Sequence, residues 1–337
     1  MDYKIYQIGV EYEYSKITCN SISEEYKLFY YSLSLHKKFH GIKKLLFKFH
    51  TSKKINRIVK LPFKSVWAPS VLDNCNNIQK DDIVCFIYQG GDNYFDIGVF
   101  PYLKKHFPNS ILIYNYNDLV ELNERLYPGF LNKCKATFDI IMTFNPLDSK
   151  AFGIELHPPV FPRLNYLGVD NKNEYDVFFV GKDKGRLALI LKIYELMVAH
   201  GLKCEFYITD VEKERQLYSE KIHYNVFLPY EDVLKKVSKT KSVLNIIQEG
   251  SCGITLRDYE CITFKKMLLT NNTYLTNTKY YDANKVLFIN EDIPFEKIKN
   301  YKDSSWNITG DCSAKSYITW INELIDVYIA KSKKYEK

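Results

Sequence analysis

Two glycine-bearing turns in the second half of the chain combine the residue types that hold phosphate. The first, Gly181-Lys182-Asp183-Lys184-Gly185-Arg186, follows the apolar run Asp176–Val180 (DVFFV). Its glycines permit close backbone approach, and Lys182, Lys184 and Arg186 supply cations. The second, Gln248–Arg257 (QEGSCGITLR), follows Ser242–Ile247 (SVLNII). Gly250 and Gly253 precede a helix expected to begin near Thr255, so its first-turn amides and dipole would face an anion, with Arg257 close by. Glu260 lies roughly one and a half turns into that helix and could accept hydrogen bonds from paired ribose hydroxyls. A diphosphate and a ribose together form the polar part of a nucleotide sugar. Taken singly, a glycine-basic turn more often serves structure than binding, and a helix glutamate such as Glu260 is more often a surface residue. The combination carries the inference, because both turns open from the same edge of one expected sheet. No GxGxxG follows any strand and no GxxxxGK[ST] occurs, which argues against a dinucleotide oxidoreductase and a P-loop NTPase.

The elements that must position these turns follow a strand–turn–helix rhythm from residue 82 onward. Ile83–Tyr88, Ser110–Tyr114 and Phe138–Thr143 read as strands in the first half, with a helix over Asp118–Leu126 and a further strand possible at Tyr3–Val10. In the second half, strands are expected at Asp176–Val180, Cys204–Ile208, Val226–Leu228, Ser242–Ile247, Met267–Thr270 and Val286–Ile289. Leu187 to Val198 carries a helical apolar pattern that Gly201 closes, and Trp320–Ala330 reads as a final amphipathic helix. Continuous apolar strands alternating with helices predict parallel sheets covered on both faces. Three prolines within His157–Arg163 suggest a stiff connector, His157 being a hinge residue, between domains at 1–165 and 166–320, with a C-terminal helix over 321–337 that could pack back on the first.

The 337 residues, 46% hydrophobic and 26% charged, are those of a folded globular protein and exclude a disordered or collagen-like chain. The eight cysteines show no CxxC pair, which predicts reduced thiols rather than a disulfide scaffold or a zinc site. The opening MDYKIYQIGVEYEYS lacks the apolar stretch of a secretory signal, so the expectation is a soluble, cytoplasmic protein, with peripheral attachment to the inner face of the plasma membrane a further possibility. The net charge of +7 is unevenly spread: residues 26–72 hold eleven Lys/Arg and no Asp or Glu, leaving −4 for the rest. There, Phe39, Ile42, Leu45, Leu46 and Phe49 recur at helical spacing with Lys37, Lys38, Lys43, Lys44 and Lys48 largely between them. Such a stripe suits an anionic membrane surface; a solvated basic face over a core helix is the plainer alternative. No nucleic-acid recognition motif accompanies the basic run, so no nucleic-acid partner is expected.

The runs DVFFVGKDKGR and, some sixty residues later, QEGSCGITLRDYECITFKKMLLTNN resemble bacterial glycosyltransferases of the GT-B fold, nearest the group-1-like enzymes of capsule, O-antigen and lipopolysaccharide assembly and spore-maturation-type relatives. FDIIMTFNPLDSKAFGIELHPPVFP is similar to the region where their acceptor domain meets the hinge. The resemblance spans about residues 82–290 and implies an α/β fold of two Rossmann-like, doubly wound domains facing across a cleft. It implies donor diphosphate and ribose binding by Gly181, Lys182, Lys184, Arg186, Gly253, Thr255, Arg257 and Glu260. It also implies a nucleotide-sugar donor and a glycan or lipid-linked acceptor. The family's commoner retaining pattern, two glutamates seven residues apart, is not kept, since Glu249 and Glu260 are eleven apart. Fixed cations and amides can stabilise a leaving diphosphate, so no metal or other cofactor is expected. An inverting reaction needs a general base from the first domain, for which Asp92, in the Gly-Gly-Asp turn after IVCFIY, is the first candidate, followed by Glu11 and Asp118. Asp92 could equally be a helix N-cap. A non-catalytic polysaccharide-assembly subunit and a sugar-nucleotide epimerase are the competing readings.

Overall fold

The computed structural model describes residues 3–9, 13, 28–30, 39–59, 61–74, 78, 82–90, 93–157, 172–289, 293–307 and 314–335. The chain divides into two compact units, Met1–Arg163 with Cys312–Lys337, and Leu164–Asp311. From Pro158 to Arg163, the proline-rich connector lies outside the described residues.

The first unit is built on a parallel sheet of β1 (Lys4–Gly9), β2 (Leu28–Tyr30), β3 (Val84–Gln89), β4 (Ile111–Tyr116), β5 (Ile140–Thr143) and β6 (Glu155–Leu156), in the order β2-β1-β3-β4-β5-β6. Every residue of β3, β4 and β5 is buried, as a parallel sheet covered on both faces requires. Alternate residues sort to opposite faces. Tyr6, Ile8, Phe86, Tyr88, Leu112 and Tyr114 join an aromatic-rich core on one side. Ile5, Cys85, Ile87, Ile113 and Met142 meet Ile318, Ile321 and Ile325 of the C-terminal helix on the other. That helix, Ala314–Tyr335, is further fixed by Tyr3 donating to Asp326 and by Tyr328 donating to Asp139 at 2.7 Å.

The second unit carries β7 (Tyr175–Lys182), β8 (Cys204–Thr209), β9 (His223–Tyr224), β10 (Thr240–Asn245), β11 (Met267–Thr270) and β12 (Val286–Phe288), all parallel, in the order β12-β11-β10-β7-β8-β9. The chain lays down β7 to β9 in one direction, returns to the centre, and continues outward from β10. β7 and β10 are therefore adjacent strands at the point where the strand order reverses. Crevices at such switch points, beyond the strand carboxyl ends, are where open α/β sheets bind ligands. The reversal in the first unit falls between β1 and β3 by the same logic.

The strand expected at Val226–Leu228 is not formed; β9 lies earlier, at His223–Tyr224. Asn225 ends it by adopting a left-handed φ of 54° while its side chain accepts from Val211 N (3.1 Å) and donates to Val211 O (2.7 Å). β10 stops at Asn245, two residues before its expected end. The Ile246 carbonyl accepts from Arg186 and the Ile247 amide donates to the Asn271 side chain at 2.8 Å, so neither group is left for the ladder. Among the described residues five cysteines are free thiols, of which Cys85, Cys134 and Cys261 are buried.

Candidate functional site

The two phosphate-type turns leave the carboxyl ends of β7 and β10, side by side at the switch point. In the first turn, Lys184 (φ 45°) and Gly185 (φ +79°) both take the left-handed conformation, which turns the chain sharply into the helix Leu187–Ala199. Gly181, expected to open the turn, is still part of β7, where a Cβ would crowd the Phe179 ring at 3.3 Å and stand in ordinary contact, 3.6 Å, with the Arg186 guanidinium. Asp183, buried, accepts from Leu187 N at 2.9 Å and pairs with Arg215 at 2.9 Å, so this carboxylate caps the helix.

The cations of this turn differ in placement. Lys182 and Lys184 are exposed, Lys182 lying 2.9 Å from Asp210 in a solvent-facing pair. Arg186 turns inward instead. Its guanidinium donates to Lys182 O (2.5 Å) at the end of β7, to Asp183 O (3.2 Å), and to Ile246 O just beyond β10. One planar fork thus ties together the strand ends on both sides of the switch point.

In the second turn, Thr255 is the N-cap of the helix Leu256–Phe264 and forms a reciprocal capping box with Asp258. Asp258 Oδ2 accepts from Thr255 N at 2.6 Å, and Asn245 from the end of β10 donates to Thr255 Oγ1 (3.0 Å) and Asp258 Oδ1 (3.1 Å). The box engages the amides of Thr255 and Asp258 and leaves those of Leu256 and Arg257, at the first two helical positions, directed along the helix start. The glycine segment ahead of it is held from β11: Asn272 donates to Gly253 O at 3.2 Å and to Cys252 O at 3.4 Å.

Glu260 projects from this helix into the protein and is only 2% exposed. Oε2 pairs with the Arg257 guanidinium, while Oε1 is buried and has no hydrogen-bond partner among the described residues. Burial pushes its carboxyl up to about 7, against the pull of the Arg257 charge and the Tyr230 hydroxyl. Burial likewise pushes Asp258 up to about 6, against its hydrogen bonds from Thr255 and Asn245. Both values lie above the ordinary 3.8 for Asp and 4.5 for Glu, so the folded protein binds more protons than the unfolded chain across that interval. Stability should therefore fall as pH rises from about 4 to about 7, with Glu260 contributing through the upper part of that interval. Urea denaturation at pH 5 and pH 8 measures this: the midpoint should be lower at pH 8, and Glu260→Gln should flatten the dependence.

Of the candidate bases, Glu11 and Asp92 lie outside the described residues. In sequence they follow β1 and β3, the two strands at the reversal of the first sheet. Asp118 sits in the turn after β4 and accepts from its own neighbour, Leu119 N, at 3.0 Å. The helix Val120–Leu126 is capped by Asp148, which is buried and accepts from Val120 N at 3.1 Å. No side chain other than Arg257 is seen to engage Glu260 by an ion pair among the described residues.

The sequence matches no family model and no curated protein. Solved structures do share the fold. An α-glucosyltransferase in complex with UDP and a 13-mer DNA containing a central A:G mismatch superposes with a TM-score of 0.56 at 13% identity, covering 88% of this chain and 89% of that chain. An α-glucosyltransferase with UDP and a 13-mer DNA containing an HMU base gives 0.53 at 12% identity, covering 88% and 90%. At these identities the likeness is one of fold: two parallel α/β sheets of the GT-B glycosyltransferase kind.

Proposed function

We propose that the protein is a nucleotide-sugar-dependent glycosyltransferase whose donor binds at the switch point of the second unit. One observation carries this reading: two glycine-bearing turns, joined by the Arg186 fork, leave adjacent strands β7 and β10 next to a buried carboxylate with one unpartnered oxygen. Gly181, Lys182 and Lys184 offer backbone room and charge to a diphosphate from one side. Gly253, Thr255, the first amides of its helix and Arg257 do so from the other. Arg186 acts by holding the two sides in register. Arg257 pairs with Glu260, and a bound diphosphate would compete for its guanidinium, opening the carboxylate to the ribose hydroxyls.

In the reaction, the acceptor hydroxyl oxygen bonds to the anomeric carbon as the bond from that carbon to the diphosphate oxygen breaks. The bonding pair leaves with the diphosphate, and the hydroxyl proton passes to a base or to water. Fixed cations and helix amides stabilise the charge gathering on the leaving group, so transfer proceeds without a metal. Asp92, Glu11 and Asp118 are the candidate bases. The acceptor is a lipid-linked saccharide or an oligosaccharide of a bacterial surface polysaccharide, which places the protein at the cytoplasmic side of the membrane.

A thermal-shift series against UDP, GDP, CMP, TDP and their sugars tests the donor site. UDP comes first, because the structurally similar α-glucosyltransferases were solved with it. A rise in melting temperature with one nucleotide, together with slow release of free sugar from its sugar conjugate, is the expected result. A non-catalytic assembly subunit would give neither.

A further inference from the structure

The helix Gly41–His50 presents its apolar face to solvent. A triad of aromatic rings decides which side turns inward: Phe39, Phe47 and Trp67 pack with centroids 5.0 to 5.2 Å apart, and Trp67 Nε1 donates to His50 Nδ1 at 2.9 Å. Phe47 is consequently 2% exposed. Ile42, Leu45, Leu46 and Phe49, within about 100° of arc on the opposite side, are 76%, 67%, 54% and 51% exposed. Lys43 and Lys48 stand at the two edges of that arc, both exposed. Ile58, Val59, Phe63 and Val66 in the following segment are exposed as well. Phe39, which sequence spacing assigns to the outward stripe, belongs to the inward triad.

Large aliphatic side chains gathered on one exposed face call for a partner. We propose that this face docks on the surface of an anionic lipid bilayer, Ile42, Leu45, Leu46 and Phe49 entering the acyl boundary while the surrounding lysines meet the head groups. The charge selects the partner. Residues 26–72 hold eleven basic and no acidic residues, so a second copy applied through the same face would bring like charges together. A nucleic acid would answer the lysines but leave Ile42, Leu45 and Leu46 against phosphate, where aliphatic groups gain nothing. A bilayer with anionic head groups satisfies both at once, by apolar insertion and by attraction of each lysine to the surface potential. No helix among the described residues is long and apolar enough to cross a membrane, so this contact is one of lying on the surface.

The proposal is independent of the donor site and is tested apart from it. Full-length protein is sedimented with vesicles of phosphatidylcholine alone and with about one-third phosphatidylglycerol, at low and high salt. Binding to the anionic vesicles, weakened by salt, is expected. Leu45→Ser/Leu46→Ser/Phe49→Ser should lose it by more than about tenfold. Lys43→Glu/Lys48→Glu should abolish the preference for the anionic lipid. All five positions are exposed, and unchanged melting temperatures would show that the fold is kept. Vesicle binding unaltered by both variants overturns the proposal, as does its absence. So does binding of duplex DNA that survives the serine substitutions in place of lipid binding. A dimer dissociated by those substitutions would likewise overturn it, by assigning the face to a second copy.

Discussion

Glu260→Ala is expected to weaken nucleoside diphosphate binding by about 30- to 100-fold, the equivalent of losing charge-assisted hydrogen bonds worth ~2–3 kcal/mol. The buried oxygen without a partner makes this the most exposed point of the donor-site account, since nothing else among the described residues uses that atom. Arg257→Ala should weaken binding by a similar factor for a different reason, the loss of a cation facing the diphosphate. The two effects should not add. Arg257 and Glu260 form one ion pair, so breaking it through either partner changes the state of the other. Calorimetric titration of the two single variants and the double variant measures this. Arg257→Ala should also destabilise the ligand-free protein, because it leaves Glu260 buried without its cation, whereas Glu260→Ala removes the buried charge altogether.

Arg186→Ala should lower the stability of the protein by about 2–4 kcal/mol, because the carbonyls of Lys182 and Ile246, at the ends of β7 and β10, lose a charged donor together, while Asp183 O keeps the backbone amide of residue 186. Arg186→Lys should recover little of this. An ammonium is a point donor and cannot span Lys182 O and Ile246 O as a planar fork does. A direct phosphate ligand would behave in the opposite way: its alanine variant would melt normally without nucleotide, and lysine would restore most of the affinity. Denaturant unfolding of both variants without ligand separates the two roles.

The strand run of both units was legible because parallel strands buried on both faces read as unbroken apolar segments. Met267–Thr270 coincides with β11, and IVCFIY and SILIY fall within a residue or two of β3 and β4. What sequence did not convey was set by side chains reaching across it. The end of β10 depends on Arg186, sixty residues earlier, and on Asn271 beyond the next strand. The short β9 depends on the left-handed turn at Asn225. For the site, the two turns and the helix start near Thr255 were readable from glycine placement. The capping box had a signal in the Thr-x-x-Asp spacing of Thr255 and Asp258. The inward commitment of Arg186 had none, since a basic residue at a glycine turn reads the same whether it faces phosphate or carbonyl. The helix at Gly41–His50 shows the same limit. Its periodicity was plain, but only the packing of Phe47 and Trp67 fixes which side meets solvent.

The most direct test is a crystal structure of the protein grown with a nucleoside diphosphate identified by thermal shift. The two phosphates should lie between the turn that follows Lys182 at the end of β7 and the start of the Leu256–Phe264 helix, with the ribose hydroxyls on Glu260 and the Arg257 side chain swung toward the phosphates. A nucleotide bound elsewhere, with the Arg257–Glu260 pair intact, would contradict this placement.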